Sequence, residues 1–235
     1  MRITMIGHST VLIETGGTKI LTDPFWSTWG NPAYARLRPP ARSRGESSKV
    51  DAVLVSHDHW DHVDYRYLRM IGDTPVFAPK PTAWLIKLFG GRNVSGIRAW
   101  ESTRVGDVIV TAVPAVHLTA TVGFVLSSED RNLYFAGDTY YRPFMEEVGR
   151  RFRIDVALMP VTTYRIPMTM DERQALRAVE ALKPVMVLPI HLGIVPRSPL
   201  LRTDQTPEHF AQRVRESGAA TRVVILREGE SHTVQ

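Results

Sequence analysis

The seven residues Ser56-His57-Asp58-His59-Trp60-Asp61-His62 follow directly on a short apolar run, Ala52–Val55. Such a run, bounded by polar residues, reads as a buried strand, and it delivers three imidazoles and two carboxylates to one point at its end. Side chains two apart share a face of an extended chain, so His57 and His59 can reach one cation together. A turn must come next, because Tyr65–Ile71 reads as a short helix capped by Asp64 and stopped before Gly72. That turn can aim Asp61 and His62 at a second, neighbouring cation. The chain has eight histidines, and three fall within these few positions; with aspartates interleaved, that is a metal-binding pattern rather than a polar loop. Cysteine is absent, which excludes disulfides and thiolate sites and fits a reducing compartment. Any metal is therefore held by imidazole and carboxylate. These donors predict two divalent metal ions, zinc first, with manganese and iron as alternatives.

One loop cannot complete a two-metal site, and the missing ligands belong at other strand ends, where the backbone is rigid. His117 follows Val113-Pro-Ala-Val116, Asp138 follows Tyr134-Phe-Ala-Gly137, and His191 follows Val187-Leu-Pro-Ile190. Each has a plainer reading when taken alone: a hydrogen-bonded core histidine, or a turn aspartate after glycine. Beside the 57–62 loop each becomes a candidate ligand. Metal-bound histidines donate their other nitrogen to a carboxylate or carbonyl, and Asp23, before Pro24, is the candidate for that support. His8, after Gly7, is a candidate for contact with substrate or with a ligand, or else a satisfied core histidine. Asp58 reads as a brace for the loop, and His209 and His232 as surface residues. Tyr140, Tyr141, Arg142, Tyr164 and Arg165 follow strand ends and are candidate pocket walls, the arginines suiting phosphate or carboxylate. Trp26, Trp29 and the stretch Arg36–Arg44 read as a lid or a static flap over the site.

Around these residues the first half reads as short strands: Arg2–Ile6, Val11–Glu14 and Lys19–Thr22, with Gly16-Gly17 as a hairpin turn. The segment Asp23–Lys49 is a long loop, and loops of that length inside a domain are usually functional. Further strands are expected at Pro75–Ala78, Val108–Val113, Val122–Leu126, Asn132–Ala136, Val156–Met159, Val185–Leu188 and Val223–Leu226. Helices are expected at Thr82–Phe89, at Met170–Leu182 with Thr169 and Glu172 as a capping box, and at Pro207–Glu216 capped by Thr206. No repeat or composition shift divides the chain, so residues 1–235 read as one domain. Strands with helices between some of them indicate an α/β architecture of two mixed sheets covered by helices.

The order His-x-His-x-Asp-His, then His, then Asp in Gly-Asp-Thr, then His, resembles the metallo-β-lactamase-fold hydrolases along nearly the whole chain. The resemblance implies a four-layer αββα sandwich with the metals at one edge of the sheets. It also implies that His57, His59 and His117 hold one metal, that Asp61, His62 and His191 hold the other, and that Asp138 bridges them. Within that group, Gly7-His-Ser-Thr-Val-Leu-Ile-Glu14, Leu21-Thr-Asp-Pro-Phe25, Asp51-Ala-Val-Leu-Val-Ser-His57 and Phe135-Ala-Gly-Asp-Thr-Tyr-Tyr141 look like the N-acyl phosphatidylethanolamine phospholipase D branch. The related ascorbate-phosphate lactonases share a similar His8 and Asp23 region. This chain departs from the phospholipase in lacking its long N-terminal extension and in reading Met159-Pro-Val-Thr-Thr-Tyr164 where the phospholipase has a glycine-containing turn.

The chemistry these features predict is hydrolysis by a hydroxide bridging two metal ions, with Asp61 and Asp138 as catalytic residues and Asp61 also a candidate proton shuttle. The expected substrate is a small molecule, anionic in keeping with a formal charge of +5, carrying a phosphodiester, phosphoester or lactone bond. Two alternatives are a nuclease of the same fold and a non-hydrolytic di-iron redox or sensing protein. The dense basic stretch 36–44 holds prolines and few aromatics, against a nucleic-acid stacking platform, so no nucleic acid is expected. The N-terminus carries no basic leader with an apolar stretch and cleavage site, and no apolar stretch is long enough to span a bilayer, so the expected location is the cytoplasm.

Overall fold

Alternation along the strands assigns each side chain to a layer. The computed structural model describes residues 1–27, 31–129 and 131–234. Its first sheet contains β1 (Arg2–Gly7), β2 (Thr10–Thr15), β3 (Thr18–Thr22), β5 (Ala52–Leu54), β6 (Val76–Pro79), β7 (Val94–Ile97) and β16 (Ser231–Thr233), in the spatial order β16-β1-β2-β3-β5-β6-β7. The second contains β8 (Ser102–Val105), β9 (Val108–Pro114), β10 (Val122–Ser128), β11 (Arg131–Phe135), β12 (Val156–Pro160), β13 (Met186–Ile190) and β15 (Arg222–Val223), in the order β15-β13-β12-β11-β10-β9-β8. A separate ribbon pairs β4 (Tyr34–Arg36) with β14 (Ile194–Pro196).

In β5, Ala52 and Leu54 face the second sheet, joining Ile3, Ile13 and Ile20 against Val110, Phe124, Phe135 and Leu158. Val53 and Val55 point the other way, onto α1 (Tyr65–Met70) and α2 (Lys80–Leu88) through Tyr67, Leu68, Ala83 and Ile86. The outer face of the second sheet is closed in the same way, with Tyr134, Ala157 and Met159 packing on α3 (Phe144–Arg151), α4 (Glu172–Leu182) and α5 (Pro207–Glu216). This is the four-layer αββα sandwich, and the period of two along each strand is what divides its apolar residues among three buried layers.

Strand direction sets the site. β3, β5, β6 and β7 run parallel, as do β11, β12, β13 and β15. β9 is antiparallel to β10 and β10 to β11, so β9 runs with β11. The residues that follow β3, β5, β9, β11 and β13, namely Asp23, His57, His117, Asp138 and His191, therefore leave at C-terminal ends, the usual ligand edge of α/β sheets.

Several sequence expectations need correction. β4, β7, β8, β14, β16 and α3 were not anticipated; most are short or pair with residues distant in sequence. The strand expected at Val223–Leu226 as the final one covers Arg222–Val223 instead, and β16 follows it. The cap of α4 is Asp171, whose side chain accepts from the Gln174 amide. Thr169 instead donates to the Thr139 carbonyl, and Glu172 accepts from Arg213. The long loop after Asp23 is pinned: Trp26 stacks on Tyr67 at 4.7 Å, Tyr67 donates to the Ser47 carbonyl, and Arg44 donates to Asp64. Trp29 lies outside the described residues. Among the described residues no helix is long and apolar enough to cross a membrane.

Candidate metal centre

Asp23 organises the site from beneath. It follows β3 at φ 31° and is fully buried. Its Oδ1 accepts from the Ser56 amide at 2.6 Å, and its Oδ2 accepts from the Ser56 hydroxyl at 2.6 Å and from His62 Nδ1 at 2.6 Å. Because the Ser56 proton goes to Asp23, the 2.8 Å contact between Ser56 Oγ and His57 Nδ1 requires Nδ1 to be the donor. His57 and His62 thus both carry a proton on Nδ1, so Nε2 is the nitrogen each turns to a cation, His62 giving up any second proton there. Both Nε2 atoms are buried and have no hydrogen-bond partner.

His57, His59 and His117 form one cluster, with ring centroids 4.6 to 4.9 Å apart. Asp61, His62 and His191 form the other, together with His8. Asp138 lies between them: its Oδ2 is 3.5 Å from His62 Nε2, 3.9 Å from His117 Nε2 and 3.2 Å from His191 Nε2. His117 Nδ1 and Asp138 Oδ1 are also buried without partners. Buried polar groups are ordinarily satisfied, so the unpartnered Nε2 atoms of His57 and His62 and the Oδ1 of Asp138, collected among seven ligand-type side chains, fit divalent cations well; His117 turns Nε2 towards them, 3.1 Å from His59 Nδ1. Asp23, His57 and His62 also lie close enough to hold an ion, but both Asp23 oxygens are already engaged, so Asp23 is a brace and not a donor.

The charge pattern supports the same reading. Burial opposes ionisation of Asp61 and Asp138, yet His62 and His191 hold both carboxylates well below the usual range. Burial likewise opposes charge on His191, but Asp138 and Asp61 push it up to about 9, and the same carboxylates raise His62. In the other cluster burial dominates: it pushes His117 down to about 4 and His57 well below the ordinary imidazole value.

The remaining expected residues fall at different distances from this centre. His8 Nε2 is 3.2 Å from Asp61 Oδ2. Tyr140 lies beside His117, with ring centroids 6.1 Å apart, and donates to the Pro167 carbonyl. Tyr164 donates to the Ile194 carbonyl and is pushed beyond the ordinary phenol range by burial and by Asp61. Arg165 is exposed and stands apart from the cleft that Tyr164 lines. Asp58 accepts from Thr119 at 2.6 Å and so ties the His57–His62 loop to the His117 loop. Tyr34 and Trp60 contribute an aromatic wall that sequence reasoning missed, with Tyr34 5.6 Å from both Trp60 and Tyr164. Ser56 was also missed. The signal for it was a polar residue placed between a buried strand and a ligand.

A family model described as a beta-lactamase superfamily domain matches residues 18–192. The UPF0173 metal-dependent hydrolase of Methanopyrus kandleri is 32% identical, covering 99% of this chain and 99% of its own. The solved structure of Igni18, a metallo hydrolase from Ignicoccus hospitalis, matches with a TM-score of 0.80 and 25% identity, over 100% of this chain and 98% of its own. An isothiocyanate hydrolase from Delia radicum gut bacteria shares the fold, with a TM-score of 0.83 at 20% identity over 100% and 99% of the two chains. With the model matching well over half its length, this chain belongs to the metallo-β-lactamase superfamily.

Proposed function

We propose that the protein is a binuclear metal-dependent hydrolase acting on a small anionic phosphodiester, phosphoester or lactone-type substrate. The observation that carries this reading is the pair of ligand clusters sharing Asp138, with the unpartnered Nε2 atoms of His57 and His62 between them and His117 Nε2 turned inward, 3.1 Å from His59 Nδ1. His57, His59 and His117 would hold one ion, Asp61, His62 and His191 the other, and Asp138 would touch both; zinc suits these donors best. Cations held by these residues would supply a water of lowered pKa and polarisation of the scissile bond.

The chain's own residues do the rest. Asp23 fixes the tautomer and orientation of His62 directly and of His57 through Ser56. Asp61, its Oδ2 3.6 Å from His191 Nε2, would also carry a proton towards a leaving group. Arg38, Arg202 and Arg227 line a cleft of about 520 Å³ that reaches His191 and Tyr164 together with Glu208 and Glu228, Glu228 being paired with Arg38; the surplus of arginine supports an anionic substrate. The likeness to the phospholipase D and ascorbate-phosphate lactonase branch supports the ester and lactone classes. The test is turnover of a phosphodiester, a phosphomonoester and a lactone probe, with and without prior chelation. Chelator-sensitive hydrolysis of one class is expected; turnover of the same probe after complete metal removal would contradict the proposal.

A further inference from the structure

His8 differs from the other imidazoles of the centre in its proton. His57 and His62 carry one on Nδ1 and turn Nε2 to a cation. His8 Nδ1 accepts the Gly193 amide proton at 3.2 Å. A neutral imidazole has one lone pair and one N–H, so the His8 proton is on Nε2, the nitrogen 3.2 Å from Asp61 Oδ2. The ring that stands among Asp61, His62 and His191 at ligand distance has no lone pair to offer a cation there. It offers a hydrogen bond to a carboxylate.

The surrounding backbone holds it in that state. His8 turns the chain between β1 and β2 at φ 60°, and its carbonyl accepts from the His191 amide at 3.1 Å. The ring lies 4.1 Å from that of His191. A Cβ on Gly193 would meet the His8 Cβ and backbone nitrogen at 3.0 Å, so a side chain there would push His8 away by a few tenths of an ångström. One residue thus joins the hairpin turn, the Asp61 loop and the His191 loop.

We propose that His8 is a positioning residue and not a metal ligand: its Nε2–H orients the Asp61 carboxylate, and its Nδ1 and carbonyl clamp the His191–Gly193 segment. The inference rests on the two-metal reading above and adds that the Asp61–His62–His191 ion depends on this donor. Two substitutions separate the nitrogens. In His8→Asn, the side-chain oxygen replaces the Nδ1 acceptor, asparagine tolerates the left-handed backbone, and the donor to Asp61 is lost. In His8→Gln, the amide reaches as Nε2 does and restores that donor.

The experiment is calorimetric zinc titration of the metal-free protein against a competing chelator, with the melting temperature of each metal-free variant alongside. Wild type is expected to bind two zinc ions. His8→Asn should bind one of them roughly 10- to 100-fold more weakly, the usual loss when support behind a ligand is removed. His8→Gln should recover most of that affinity. Gly193→Ala, which displaces the ring without touching its polar atoms, should weaken the same ion and keeps the test decisive if an asparagine at position 8 prevents folding. Two full-affinity zinc ions in both His8→Asn and Gly193→Ala would overturn the inference while leaving the two-metal site standing. Equal weakening in His8→Asn and His8→Gln would also overturn it, making His8 a ligand. A wild type that binds fewer than two ions would remove the reading on which the inference rests.

Discussion

The two ligand clusters are built by different means. The His57–His59–His117 cluster is all imidazole, partly open at His59 while the His117 side chain is buried, and held in part by loop contacts such as Thr119 to Asp58. The Asp61–His62–His191 cluster is enclosed and carboxylate-rich, and it is braced by fully buried partners at strand ends, Asp23 behind His62 and His8 beside Asp61. Without a cation the second cluster keeps its charge balance by loading protons on His62 and His191, whereas the first keeps its imidazoles neutral. The difference shows that preorganisation in this centre is unequal: Asp23 anchors both clusters, through His62 directly and through Ser56 to His57, but the first cluster has its open end at His59, where contacts between loops hold it.

The largest effect should come from the one group common to both clusters. Asp138→Asn should lower turnover about 10³-fold, since the cations' several kcal/mol of transition-state stabilisation depend on it and each 1.36 kcal/mol is tenfold. A loss of only a few-fold in kcat would show that the clusters work independently. Asp23→Asn comes next. It should weaken metal binding or activity 10- to 100-fold, chiefly for the ion beside His62, as read by competition with a chelator.

The pH dependence of the metal-free protein separates the clusters directly. His191 is raised to about 9, so its contribution is fully present below about 6.5 and is lost as pH rises through 9. His117 is lowered to about 4 and His57 is lowered too, so their contribution is present above about 6.5 and is lost as pH falls through 4. The melting temperature of the metal-free protein should therefore peak near neutral pH. The alkaline limb belongs to the enclosed cluster and the acid limb to the open one, with His8, lowered to about 3 by burial, adding to the acid side. Bound zinc should flatten the alkaline limb, because imidazole ligands are neutral. A melting temperature that climbs steadily from pH 6.5 to 9 without metal would contradict the assignment.

The smallest effect tests the loop brace. Thr119→Val removes one hydrogen bond worth about 1 kcal/mol, a fall of roughly 2–4 °C in Tm, with the ion of the open cluster exchanging faster.

Much of this was readable before any coordinates. The 57–62 loop declared itself through spacing, and His117, Asp138 and His191 through their places after apolar runs. Asp23 was found because a carboxylate at a strand end is what a ligating histidine needs behind it. The long strands were found because their alternation is local. What escaped depends on contacts that sequence does not order: β4 pairs with β14 some 160 residues away, and β16 closes against β1 from the other end of the chain. Helix α3 has only Met145 and Val148 buried and no side-chain cap, so its pattern is too short to read. At α4, Thr169 and Glu172 had the spacing of a capping box, but Asp171 lies nearer the first turn and took the cap. The tautomer of His8 depends on Gly193, 185 residues away, and no local pattern carries it.

The most direct measurement is the metal content of the purified protein, wild type against His59→Ala, by elemental analysis with turnover of the best probe measured on the same samples. The account predicts about two ions per chain in wild type, and in the variant loss of the open cluster's ion together with most of the turnover. Wild-type protein without bound metal, or a variant whose turnover is unchanged, would contradict it.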